Sequence, residues 1–326
     1  MRAVVVTAHG RPPAAAGHPD PAPAPGQVLV EVTAAPITPL DLLCASGTSY
    51  FGAPALPYVP GVQGVGVVRE GPSHLVGRRV WFASTAGMAP GDGGMAELAA
   101  VAPADLVPLH ADVPDPLVAA LGLSAVAAWE VLEARAHLLP GECVVVLGAG
   151  GVVGQVAVQA ARLLGARRVV ALARSAAARD AAARRGADEV VALDGDEDPA
   201  ALAARIREAC AGDGADVVVD PLAGVAASAA VLALAPGGRL VNLGSSAGAT
   251  LTVDSAALRS RSAAVLGYTN TTLTAQRREQ VLTTVLAHAA RREVDVDHTV
   301  HPLSDVADAW HRVREGTAPD RVVLVP

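Results

Sequence analysis

From Val144 to Gly244 the chain alternates short, nearly continuous apolar runs with Ala-rich stretches of helical character. An apolar strand from Val144 runs into Gly148-Ala-Gly-Gly151-Val152-Val153-Gly154 and then into an apolar helix. Strands are predicted at Arg168–Ala173, Glu189–Leu193, Ala215–Asp220 and Gly238–Gly244. Helices are predicted at Ala176–Gly186, Pro199–Cys210 and Val225–Leu234, the first closed by Gly and the second opened by Pro. Strands that are apolar throughout and separated by helices imply a parallel sheet covered on both faces. The chain on either side is patterned differently. Before residue 117, short strand-like runs (Ala3–Thr7, Gln27–Val32, Gly64–Val68, Arg79–Phe82) are separated by Pro/Gly turns, and Pro12–Gly26 is expected to be a surface loop. After residue 262 a strand (Ala263–Gly267), a helix from Thr274 to Ala290 and a last strand (Arg321–Val325) are predicted. The predicted organisation is an α/β nucleotide domain over 117–262, inserted into a mostly β domain made of 1–116 and 263–326.

The glycine turn carries the chemistry. Gly148 lets the chain turn tightly, Gly151 keeps side chains away from an approaching phosphate, and Gly154 lets the helix pack close to the sheet. The first turn of the helix, with Val152 and Val153, presents unpaired N–H donors and roughly half a positive charge to a dinucleotide pyrophosphate. The spacing is G-x-x-G-x-x-G, and the strand and helix on either side supply the context the motif requires. The stretch from Cys143 to Ala161 has no charge, but its glycine cluster, Gln155, Gln159 and the αβ units that follow speak against a membrane span.

Units of this kind that bind NAD usually place an acidic residue about 20 residues past the glycines, against the ribose 2′-hydroxyl. Here the second strand ends in Ala173-Arg174-Ser175, with Arg179 one turn on, and the first acidic residue after Gly154 is Asp180. Guanidinium and hydroxyl groups suit a 2′-phosphate, so NADPH is the expected cofactor.

Composition narrows the classes further. The 326 residues suffice for two domains with cores of their own. A net charge of -7 argues against nucleic-acid or anionic-membrane partners. The opening MRAVVVTAHG reads directly as a strand without a signal-peptide pattern, so a cytoplasmic protein is expected. Cys44, Cys143 and Cys210 are too far apart for a metal site and read as buried small apolar residues, and the nine His show no ligand spacing.

Several segments in order resemble the quinone oxidoreductase (zeta-crystallin-like) branch of the medium-chain dehydrogenase/reductase superfamily. They are Pro39-Leu-Asp41 with Ser46-Gly47 and Tyr50, Leu56-Pro-Tyr-Val-Pro-Gly61-Val-Gln-Gly64-Val-Gly66, Gly93-Gly-Met-Ala-Glu97, Leu139-Pro-Gly141-Glu142, Gly237-Gly-Arg-Leu-Val-Asn-Leu-Gly244-Ser-Ser246 and Asp320-Arg-Val-Val-Leu-Val-Pro326. The resemblance spans essentially the whole chain. It implies a Rossmann doubly wound parallel sheet inserted in a GroES-like domain, and a homodimer formed through the nucleotide domains. Zinc alcohol dehydrogenases of the superfamily hold their metal with a Cys before the early Asp, a His in Gly-His-Glu and a third ligand. Those places are Thr38, Val62 and Gln63 here, and no four-Cys lobe lies between Val80 and Glu97, so no metal is expected.

Without a Lewis acid, hydride delivery to an electron-poor acceptor is the feasible chemistry. The resemblance implies NADPH-dependent reduction of a quinone, an enone or a 2-alkenal, a small-molecule substrate. An enoyl-thioester or pathway-specific tailoring reductase is the second reading, and an NADPH-binding sensor or scaffold with little turnover the third. The resemblance assigns Tyr50 and Thr38 to catalysis, Thr38 standing where the branch often has Asn. It places Ser124 beside the nicotinamide, where it replaces a Thr and keeps the hydroxyl. Leu243, Gly244 and Ser245 line the nicotinamide side, and Arg321 reaches toward a cofactor phosphate. Asp41 is read as an architectural hydrogen-bonding group, and Tyr268 as bordering the pocket or packing.

Overall fold

The computed structural model describes residues 1–195, 197–318 and 320–326. They form two compact units. The first comprises Met1–Leu123, Ala275–Arg291 and Val296–Pro326, and the second Ser124–Thr274 and Arg292–Asp295.

The first unit contains β1 (Arg2–Val5), β2 (Ala14–Gly17), β3 (Val28–Pro36), α1 (Pro39–Ser46), β4 (Gln63–Glu70), β5 (Arg79–Ala83), β6 (Leu98–Val101) and β7 (Leu106–Pro108). A helix, α2 (Asp115–Glu130), follows them. In the second unit come β8 (Cys143–Val146), α3 (Val152–Leu163), β9 (Arg168–Ala173), α4 (Ala176–Arg184), β10 (Glu189–Ala192), α5 (Pro199–Ala209), β11 (Ala215–Asp220), α6 (Gly224–Leu232), β12 (Leu234–Asn242), α7 (Ser255–Arg261) and β13 (Ala264–Gly267). The chain returns to the first unit with α8 (Ala275–Ala290), β14 (His298–Pro302), α9 (Val306–Arg314) and β15 (Arg321–Val325).

The first unit is built on a seven-stranded sheet in the order β14-β15-β3-β4-β5-β7, with β6 also paired to β3. Its alternation is visible in β3, whose residues from Val28 to Thr33 alternate between buried and half-buried, as an element with one covered face must. Val30, Phe82, Met95, Trp310 and Leu324 share its core. Pro12–Gly26, expected as a loop, contributes β2, which pairs antiparallel with β1 and keeps all four of its residues exposed. The small side chains there gave no alternation to read, and β1 supplies the pairing.

The second unit is a six-stranded sheet, β10-β9-β8-β11-β12-β13, parallel throughout. All four residues of β8 are buried, as are five of the six in β9 and in β11, which is why these strands read as unbroken apolar runs. Leu202 and Ile206 of α5 and Leu172 and Leu240 of the sheet are fully buried, each contributing about 2 kcal/mol of transfer free energy. The expected domain boundary at residue 263 is corrected here. β13 pairs parallel with β12, so Ala264–Gly267 completes the nucleotide-type sheet, and the chain rejoins the first unit only at Ala275.

One helix is broken. At Gly122, φ is 30° and ψ is -131°, and α2 restarts after it. The Gln63 side chain fills the space a Cβ on Gly122 would need. Gln63 Oε1 accepts from Leu123 N at 2.8 Å and from Trp81 Nε1 at 3.1 Å, so the amide closes the first turn of the second helical segment.

Candidate active site

At the end of β8 the glycine turn takes the conformation its sequence demands. Gly148 has φ +64°, open to glycine at no steric cost. A Cβ on Gly148 would lie 2.8 Å from the end of the Leu222 side chain, so its constraint is the backbone conformation, whereas one on Gly154 would lie 2.6 Å from Ala149 Cα, and that position admits hydrogen only. Gly151 is the N-cap of α3, has no side-chain cap, and is exposed. Val152, Val153 and Gly154 form the first turn of α3, whose N–H groups have no intrahelical acceptor. The arrangement is an anion site made of backbone.

The end of β9 adds charge. Ser175 caps α4, its Oγ accepting from Ala178 N at 3.1 Å, which leaves the hydroxyl proton free to donate. Arg174 is exposed. Arg179 folds back and donates through Nη1 to Arg174 O at 2.5 Å. The turn and α4 are packed together: a Cβ on Gly150 would lie 2.9 Å from Ala178 Cβ. The glycine turn, Arg174, Ser175 and Arg179 are thus assembled in one unit at the ends of neighbouring strands. Leu243, Gly244 and Ser245 follow β12 at the same edge of the sheet, since β8, β9, β11 and β12 are parallel. Ser124 is half-buried, just past the break in α2.

In the first unit a second polar group is assembled around Asp41. Thr38 is the N-cap of α1, and with Asp41 it forms a capping box. The Asp41 carboxylate accepts from Thr38 N at 2.9 Å, Thr38 Oγ1 at 2.6 Å, and Gly61 N and Val62 N at 3.0 Å each. Asp41 is buried, and burial pushes its carboxyl up from the ordinary value while these hydrogen bonds oppose the rise. Arg321 is brought to the same place: its Nη1 donates to Ile37 O at 2.7 Å. Burial lowers the guanidinium to about 10, with the Asp41 charge acting the other way.

The structure therefore groups Thr38, Asp41 and Arg321 and leaves Tyr50 apart from them. Tyr50 is 78% exposed, its ring centroid 4.2 Å from that of Phe51. The buried tyrosine near Asp41 is Tyr58, whose hydroxyl has no hydrogen-bond partner among the described residues. Its phenol is pushed well above the ordinary value by burial and then by Cys44 and Asp41. Cys44 rises to about 11 by burial and the Asp41 charge, against a hydrogen bond with Ser49. The burial of Tyr58 and the helix-closing role of Gln63 were not visible in the sequence, because nothing in a lone aromatic or amide signals where tertiary packing will bury it.

Positions 38, 62 and 63 carry a hydroxyl donated to Asp41, a buried isopropyl group and an amide held by Trp81 and Leu123. Among the described residues, no group of three or more His, Cys, Asp or Glu is placed to hold a metal ion.

Comparison with known proteins adds to this geometry. Residues 24–111 match the family model for an alcohol dehydrogenase GroES-like domain, and residues 152–287 that for a zinc-binding dehydrogenase. The chain is 33% identical to the quinone oxidoreductase of Rattus norvegicus over 251 residues, covering 75% of this chain and 73% of that protein. It is also 33% identical over 306 residues to a phenolphthiocerol/phthiocerol polyketide synthase of Mycobacterium tuberculosis. That match covers 91% of this chain but spans only 13% of the synthase polypeptide. The quinone oxidoreductase from Thermus thermophilus, whose structures include its complex with NADPH, superposes with a TM-score of 0.82 at 29% identity, covering all of both chains. With a GroES-like first unit, a parallel six-stranded second unit and these relatives, the chain belongs to the quinone oxidoreductase branch of the medium-chain dehydrogenase/reductase superfamily.

Proposed function

We propose that the protein is an NADPH-dependent reductase that delivers hydride to a quinone or an α,β-unsaturated carbonyl without a metal ion. The observation that carries this reading is the pairing of the backbone anion site at Gly148–Gly154 with the Arg174 and Ser175 side chains at the end of β9. The NADPH complex of the Thermus relative and the quinone acceptors named for the curated relatives support it.

The residues divide the work by chemistry. The N–H groups of Val152, Val153 and Gly154 receive the pyrophosphate. Arg174, the Ser175 hydroxyl and the unspent guanidinium donors of Arg179 hold the 2′-phosphate, where an acidic side chain would repel it. Leu243, Gly244, Ser245 and Ser124 border the nicotinamide half. Bound NADPH supplies the hydride. Hydride addition to a conjugated acceptor leaves charge on oxygen, which a phenol or backbone donor stabilises. We assign Tyr50, the solvent-accessible phenol, to that oxygen. The Thr38 hydroxyl donates its proton to Asp41, so it offers lone pairs only, and it acts by positioning. The hydroxyl, isopropyl and amide at positions 38, 62 and 63 offer none of the thiolate, imidazole or carboxylate donors that Zn²⁺ takes, which is why metal-free chemistry is proposed.

The polyketide synthase match favours a second reading of the acceptor. An enoyl thioester presents the same conjugated carbonyl, and the same residues serve it. Titration calorimetry with NADPH and NADH tests the cofactor assignment. NADPH is expected to bind at least about tenfold more tightly, one charge-assisted contact set being worth about 1.4 kcal/mol. Equal affinities, or a preference for NADH, contradict it.

A further inference from the structure

Asp220 is fully buried at the carboxyl end of β11. Its Oδ1 accepts from Leu222 N and Ala223 N at 2.9 Å each, and its Oδ2 accepts from Asn242 Nδ2 at 2.8 Å. Asn242 is the last residue of β12, and its Nδ2 also donates to Gly244 O at 2.8 Å. Leu243 N donates to Asp220 O at 2.9 Å. The loops after β11 and β12 close on each other again where Ser246 Oγ donates to Pro221 O at 3.1 Å and Ala247 N to Leu222 O at 2.9 Å. A Cβ on Gly244 would lie 2.6 Å from Pro221 O, and Leu222 covers Gly148 of the glycine turn. Ala223, held by Asp220, has φ +57°, a conformation that favours glycine.

A buried carboxylate is costly, and the three donors that satisfy this one lie in the segment after β11, at Leu222 and Ala223, and at the very end of β12, at Asn242, where the next loop begins. The carboxylate therefore orders the loops. Their place in the sheet says what for. Strand order reverses between β8 and β11, with β9 and β10 on one side and β12 and β13 on the other. Ligands of such sheets lie outside the carboxyl ends of the strands at that reversal. Arg174 and Ser175, at the end of β9, stand on the adenosine side of it, and the Asp220–Asn242 loops stand on the other.

We infer that Asp220 and Asn242 are positioning residues for the nicotinamide half of the dinucleotide, acting through the backbone of Pro221–Ala223 and Leu243–Ser245. The inference rests on the dinucleotide reading above. Its test separates the two halves of the cofactor. Asp220→Asn keeps the shape but sets an amide N–H₂ or an unsuited oxygen against the present donors, and Asn242→Ala removes the amide that joins Asp220 Oδ2 to Gly244 O.

Both variants and the wild type are titrated calorimetrically with NADPH and with adenosine 2′,5′-bisphosphate, which carries the adenine-end groups and no nicotinamide. In each variant NADPH is expected to weaken about tenfold or more, while the bisphosphate stays within about twofold, as the loss of one or two contacts to half of the ligand requires. If Asp220→Asn does not fold, Asn242→Ala carries the same split. Unchanged NADPH binding, or equal weakening of both ligands, overturns the inference and leaves the nucleotide reading standing. A wild-type protein that binds neither ligand overturns both.

Discussion

Replacing Asp41 with Ala removes the acceptor that ties the start of α1 to the chain at Gly61 and Val62. Four donor groups lose their partner, Thr38 N, Thr38 Oγ1, Gly61 N and Val62 N. The Arg321 guanidinium loses the charge that faces it. Breaking a buried, hydrogen-bonded charge in this way costs about 3–5 kcal/mol. The unit that holds Asp41 has roughly 170 residues, for which about 2.1 cal/mol/K per residue converts 4 kcal/mol to a fall of about 10 °C in Tm. Thr38→Val removes one hydroxyl from the same network and leaves its other three donors in place, so its cost is about 1 kcal/mol, or about 3 °C. Thermal unfolding followed by circular dichroism at neutral pH reads both. A Tm for Asp41→Ala within about 2 °C of the wild type, or a Thr38→Val loss equal to it, refutes the network as described.

Arg174→Ala is expected to weaken NADPH about tenfold and leave NADH unchanged in titration calorimetry; equal losses sink the 2′-phosphate assignment. Gly154→Ala, whose Cβ would lie 2.6 Å from Ala149 Cα, is expected to cost about 1–3 kcal/mol in denaturant unfolding and to weaken both nucleotides. Glu142 accepts from Arg239 Nη1 at 2.6 Å and Nη2 at 2.7 Å. Burial raises its carboxyl, but the bonds from Arg239 and Leu139 N outweigh that, so its pKa lies below the ordinary value. A depressed carboxylate adds stability above its unfolded pKa of about 4.3 and loses it as pH falls through the folded one. Glu142→Gln is therefore expected to cost about 2 kcal/mol at neutral pH, with the gap to wild type closing in acid; a gap independent of pH contradicts the ion pair's role.

The strands of the parallel sheet could be read from the sequence because both faces are covered, so Arg168–Ala173 and Ala215–Asp220 stand out as apolar runs with their observed ends. The fingerprint turn was equally plain, because glycine is required there by the backbone. β13 was visible as a strand but assigned to the wrong unit, since pairing with β12 is a tertiary fact. α1 was not predicted, although Thr38-Pro-Leu-Asp41 spells a capping box that would have marked its start. The break of α2 at Gly122 was hidden because it depends on Gln63, distant in sequence, entering the helix. The Asp220–Asn242 pair left a faint trace: each is the polar residue closing an apolar strand.

The most direct test of the account is NADPH oxidation in the presence of a quinone, by protein freed of metal with EDTA. Quinone-dependent oxidation with NADPH, undiminished by the chelator and slower with NADH, is the predicted result. Activity that EDTA abolishes and Zn²⁺ restores, or NADPH binding with no oxidation by any quinone or conjugated carbonyl, would contradict a metal-free reductase.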